Sequence, residues 1–99
     1  MAEEQITVVR AAHRYEVNVD GQLAGFTMFH ADAQGRLVFP HTVVDVAFGG
    51  RGLGRVLVSQ AMADVASRGE TVVPLCPFVA KYLRSTEVPG LQIAWPDED

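Results

Sequence analysis

A chain of 99 residues that is 48% hydrophobic and 20% charged has the size and composition of one globular domain, which excludes a second domain and gives no case for disorder. Eight Lys and Arg against twelve Asp and Glu give a formal charge of -4, the wrong sign for holding a nucleic-acid backbone through counterion release. A local cluster such as Arg51 and Arg55 can still grip a small anion, because the acids gather at Glu3, Glu4 and Asp97–Asp99.

The single cysteine, Cys76, has no partner for an internal disulfide, and the first residues carry acids where a secretory leader carries bases. No apolar run approaches the roughly 20 residues that cross a bilayer. These features together predict a cytoplasmic protein.

Ile6 to Val9 is rich in β-branched residues and predicts a first strand. Tyr15, Val17 and Val19 alternate with polar neighbours, as in a strand with one buried face, and Asp20-Gly21 then supplies a tight hairpin turn into a strand over Leu23 to Phe29. A second turn at Asp32 to Gly35 leads to Leu37–Ala47, whose apolar residues fall on both parities and predict a strand covered on both sides. Pro40 predicts a local irregularity there, since it cannot donate to the ladder. The pattern changes at Gly49-Gly50-Arg51-Gly52-Leu53-Gly54, after which Leu53, Leu57, Ala61 and Val65 mark a long helix from about Gly52 to Arg68. Thr71 to Leu75 reads as a strand parallel to the one before the helix, Pro77 opens a short helix to about Ser85, and Leu91 to Ala94 adds a last strand. Trp95 is expected to pack the tail on the sheet, and Asp97-Glu98-Asp99 to act as a solubilising end. The expected class is α+β: five to six strands, mainly antiparallel with one parallel βαβ junction, one long helix and one short helix.

Glycines at the mouth of a helix let the backbone curl around a ligand while unpaired N–H groups point outward, an arrangement suited to phosphate. The P-loop signature fails, because Gly54 is followed by Arg55 and Val56 instead of Lys and a hydroxyl residue. The dinucleotide fingerprint fails as well, its third glycine position falling on Leu57. Gly52-Leu53-Gly54, between a strand and a long helix, instead resembles the acetyl-coenzyme A loop of the Gcn5-related N-acetyltransferases. The Arg or Gln that opens that pattern is replaced by Gly49, and Arg51 and Arg55 are the cations at hand to make up for it. With His41-Thr42, Val73-Pro74-Leu75-Cys76-Pro77-Phe78-Val79 and Tyr82-Leu83 added, residues 13 to 95 resemble the small single-domain YjdJ-type branch of that superfamily.

The resemblance implies that residues 1–99 form one reduced acetyltransferase domain, without the helical pair that shapes the acceptor pocket of larger relatives. It implies acetyl-coenzyme A as cofactor and an amine of unidentified kind as acceptor, with a coenzyme-binding module lacking transfer as the alternative. Val44 and Val46 would offer main-chain hydrogen bonds to pantetheine, and the N–H groups of Gly50, Arg51, Gly52, Leu53 and Gly54 would take the pyrophosphate. Arg51 and Arg55 would add charge at the ribose phosphate.

Cys76 falls between a strand end and a helix start, where the helix dipole favours thiolate, so it is a candidate nucleophile for two-step transfer; direct attack by the amine is the simpler scheme, and a packing role is the plain one. His41 is a candidate base toward Cys76 or an incoming ammonium group, or else a hydrogen-bonded core residue, with strand parity deciding between them. Tyr82, by the resemblance, would protonate the departing thiolate or line the coenzyme site, its alternative being a phenol covering the core. His13 and His30 lack partners at metal-ligand spacing, and no metal site is expected.

Overall fold

The computed structural model describes residues 4–96; the acidic end at 97–99 and Glu3 lie outside the described residues. Six strands form one sheet in chain order: β1 (Ile6–Arg10), β2 (Arg14–Val19), β3 (Gln22–Ala31), β4 (Leu37–Val44), β5 (Thr71–Pro74) and β6 (Gln92–Ile93). The first four are an antiparallel meander. Asp20 and Gly21, at φ 51° and 80°, provide the pair of positive angles that the β2–β3 hairpin requires.

Two parallel pairings follow where one was expected, β4 with β5 and β5 with β6. Each is bridged by a helix: α1 (Leu53–Ser67) returns the chain to β5, and α2 (Pro77–Ser85) returns it to β6. The same crossover logic that predicts the first parallel pair applies to the second, whose strand is only two residues long. No helix among the described residues is long and apolar enough to cross a membrane.

The apolar stripe of α1 is the centre of the core. Leu53, Leu57, Val58, Ala61, Met62 and Val65 are all buried, packed with Tyr15, Val17, Phe29, Phe39 and Val72 of the sheet. Each of these side chains larger than alanine contributes about 1.5–3 kcal/mol on removal from water, before entropy is counted. The helix ends as its sequence indicates, with N–H groups of Gly69 and Glu70 returning to the carbonyls of Ala66 and Val65. Trp95 joins the edge of this core, under the Arg84 guanidinium at 4.3 Å.

A polar cluster flanks the same helix. The Tyr15 hydroxyl donates to Asp64 Oδ2 at 2.6 Å and accepts from Arg10 Nη1 at 3.1 Å, while Arg10 grips Glu70 through two bonds of 2.8 and 3.2 Å. Burial pushes the Tyr15 phenol above its ordinary range, and the bond to Asp64 pushes it the same way. Burial would also raise the Asp64 carboxyl, but donors from Tyr15 and Arg68 outweigh it and hold the group below the usual carboxylate value.

Two features of β4 depart from a plain strand. Met28 faces His41 and His30 faces Val38, so β4 carries one residue more than β3 between these pairs, at Phe39-Pro40. The irregularity expected at Pro40 is this bulge. The strand also stops at Val44, short of the expected Ala47, because the Asp45 carboxylate accepts from the Ala47 N–H at 2.8 Å and starts a 3-10 turn over Val46–Phe48.

Candidate functional site

The parallel pairing of β4 and β5 ends at Phe39 and Pro74. Its last link is the Cys76 N–H, which donates to the Phe39 carbonyl at 2.8 Å. From there β4 runs on to Val44 while the segment after β5 turns into α2. The Asp45 N–H points back to Ala24 on β3 at 2.8 Å. Alternation along a strand therefore turns the main-chain groups of Val44 and Thr42 the other way, into the opening.

A groove of about 550 Å³ occupies this opening, walled by Thr42, Val44, Phe48, Leu53 and Phe78 and floored by the glycine segment. Gly52 caps α1 in the left-handed conformation at φ 73°, which a side chain would disfavour by about 1 kcal/mol or more. The first intrahelical bond is Val56 N–H to Gly52 C=O at 3.2 Å, so the N–H groups of Leu53, Gly54 and Arg55 precede the helical ladder and face its mouth. Gly54 permits close packing: a Cβ there would lie 3.0 Å from Phe78 Cζ.

Charge at the rim is arginine. The Arg55 guanidinium stacks 5.3 Å from the Tyr82 ring centroid, and both residues border a second hollow of about 260 Å³ with Phe78, Lys81 and Ser85. Arg51 donates to Glu4 at 2.6 Å and stacks on Phe48 at 5.6 Å.

Cys76 occupies the cap position of α2, directly before Pro77, and is only 5% exposed. Its thiol donates to Thr42 Oγ1 at 3.3 Å, and that oxygen lies 2.9 Å from Thr27 Oγ1. The Cys76 sulfur thus stands one hydrogen bond behind the groove wall.

Residues 14–88 match the family described as GCN5-related N-acetyl-transferase. The chain belongs to this N-acetyltransferase family. No curated protein matches it significantly. Among solved structures it is similar to the crystal structure of ribosomal-protein-alanine N-acetyltransferase from Brucella melitensis biovar Abortus 2308, with 18% identity and a TM-score of 0.49. That similarity covers 85% of this chain and 52% of the other, so this N-acetyltransferase-family chain spans about half the length of its structural relative.

The family implies acetyl-coenzyme A as cofactor. The groove volume lies within the usual range for small-molecule sites, its walls are apolar, outward N–H groups line one end and Arg55 stands at the rim, so the residues fit such a ligand. Val44, Gly50, Gly52, Leu53, Gly54 and Arg55 come together in one groove. Val46 borders it too, but from the 3-10 turn, as a residue 95% exposed whose carbonyl accepts from Gly49. Arg51 stands beside the groove on Glu4, and Tyr82 lies in the adjoining hollow.

His41 is not brought to Cys76. The bulge at Pro40 reverses the parity, so that Thr42 turns toward the sulfur while His41, opposite exposed Met28, is exposed on the other face of the sheet. The sequence reading gave no role to Thr42, Phe48 or Phe78. Thr42 and Phe78 belong to the short motifs that carry the family resemblance; Phe48 has no comparable signal.

Proposed function

We propose that the chain, acting as one domain, binds acetyl-coenzyme A in the groove between β4 and α2 and transfers its acetyl group to an amine. The observation that carries this reading is the parting of β4 and β5 beyond the bond from Cys76 to Phe39, which frees main-chain groups of β4 beside the mouth of α1. Bound there, acetyl-coenzyme A would supply an activated acyl thioester. Thr42 and Val44 would pair with an extended amide-bearing ligand, N–H groups of Leu53 to Arg55 would hold phosphate, and Arg55 and Tyr82 would border its outer part. Arg51 joins them on release from Glu4. A lone thiol also suits a cytoplasmic setting.

Two routes are open to the amine: direct attack on the thioester, or attack on an acetyl group first taken up by the Cys76 sulfur. A second reading, a coenzyme-binding module without transfer, draws on the near-complete enclosure of that sulfur and the distant facing of His41. Incubation with isotopically labelled acetyl-coenzyme A and a panel of amines, followed by intact-mass and product analysis, separates these ideas. Label on wild type but not on Cys76→Ala supports the two-step route, and product from both proteins supports direct attack. Binding without product favours the module. Failure of coenzyme A to raise the melting temperature at saturation overturns the whole reading.

A further inference from the structure

Among the described residues, Thr27 is the one buried residue outside the hydrophobic types, at 0% exposure. Valine is also β-branched and carries no hydroxyl, so filling the core gives no reason for threonine, and an unpartnered hydroxyl there would be costly. Its partner is Thr42, directly opposite on β4 with the two oxygens 2.9 Å apart, and Thr42 in turn accepts from the Cys76 thiol at 3.3 Å. Side chains from β3, β4 and the cap of α2 therefore form a continuous chain from the core to the groove wall.

Each hydroxyl has one donor and can accept twice, so the chain can adopt two polarities. With the sulfur protonated, S–H points to Thr42 and the Thr42 O–H is left to point to Thr27. A sulfur anion can only accept. Thr27 O–H then points to Thr42, and Thr42 O–H turns to the sulfur. No proton is exchanged among the three residues; the one lost by sulfur passes to a solvent base.

We infer that Thr42 is the positioning residue for Cys76: it holds the sulfur behind the groove wall and supplies the O–H that the sulfur anion needs, with Thr27 accepting or donating from the core as the sulfur requires. The partly buried surroundings strengthen that bond relative to water. Hydrogen bonds to charged groups are worth about tenfold or more in an equilibrium. The consequence for acetyl transfer rests on the proposed function, whereas the hydrogen-bond chain does not.

The test uses Thr42→Val, Thr42→Ser and Thr27→Val in the full chain. Cys76 is the only cysteine, so the S–H stretching band in the infrared reports this one thiol, and its alkylation by iodoacetamide at mildly alkaline pH is read by intact mass. Thr42→Val should move the band to higher frequency and slow alkylation about tenfold, and Thr42→Ser should restore both. Thr27→Val should slow alkylation by a smaller factor. Folded Thr42→Val with wild-type band and rate overturns the inference, as does failure of Thr42→Ser to restore them. Should Thr42→Val not fold, wild-type alkylation in Thr27→Val overturns it instead. A wild type that binds no coenzyme A sinks the proposed function alone, because the infrared and alkylation results stand without it.

Discussion

The Cys76 N–H closes on the Phe39 carbonyl at 2.8 Å, and Phe39 is itself fully buried. The point where the sheet opens is therefore anchored by the core, not by a surface loop. Pro40 follows at once, at the bulge, where it has no ladder partner on β3. The groove begins at a rigid place, which suits a site that must meet a ligand without reorganising.

Strand alternation beyond that point gives a contrast between neighbours. Val43 directs its N–H to β3 and Val44 directs its own into the groove, as the Asp45 to Ala24 bond fixes the phase. Val43→Pro should lose a ladder bond and cost about 1–3 kcal/mol in denaturant unfolding. Val44→Pro should leave stability much closer to wild type and weaken coenzyme A binding, measured by calorimetry, by up to about tenfold. Equal destabilisation by the two prolines would show that Val44 is not turned to the opening.

The two glycines of the loop should respond differently to alanine. At Gly52 the added methyl group meets open space but the backbone is left-handed, so Gly52→Ala should cost about 1–2 kcal/mol of stability. At Gly54 the backbone is helical and alanine gains about 1 kcal/mol of propensity, offset by contact with the end of the half-exposed Phe78 ring. Gly54→Ala should therefore unfold near the wild-type temperature while the displaced ring narrows the groove and weakens coenzyme A binding. Wild-type affinity in that variant would argue that the ring moves outward instead.

Much of this architecture is written locally. The Asp20-Gly21 turn, the stripe Leu53–Leu57–Ala61–Val65 and Pro77 at the start of α2 each state their own structure, because turn angles, helical period and a missing N–H are properties of neighbours in sequence. The glycine segment lies along the floor of the groove. What escaped was long-range consequence. Pro40 announces an irregularity, but only pairing with β3 reveals that it shifts the parity and sends His41 to one face and Thr42 to the other. The run of valines through Val44 and Val46 reads as one strand because nothing local weighs the Asp45 side chain against the ladder. Thr27, inside an apolar stretch, gives no hint of its role until Thr42 and Cys76 are beside it.

Asp64 makes stability depend on acid. Its carboxyl is held below the ordinary carboxylate value: burial opposes this, and the Tyr15 and Arg68 donors prevail. A lowered value in the folded state means that the contribution is complete above the unfolded value of about 3.9 and disappears as pH falls through the lower folded value. The melting-temperature advantage of wild type over Asp64→Asn should be steady from neutral pH down to about 4 and shrink below it. A constant difference across that range would mean that Asp64 acts through shape and not charge.

Tyr15 predicts the opposite limb. Burial first, and then the bond to the Asp64 carboxylate, keeps the phenol protonated well above its ordinary value. Because the folded value is raised, its contribution is complete below the unfolded value of about 10 and is lost as pH climbs beyond it, where the unfolded chain ionises and the folded one does not. Tyr82→Phe leaves Tyr15 as the only tyrosine, so phenolate absorbance then reports it alone. In an alkaline titration of that variant, absorbance should rise together with the loss of near-ultraviolet circular dichroism. Phenolate appearing near pH 10 in a chain that still holds its fold would show that the hydroxyl is not locked between Arg10 and Asp64.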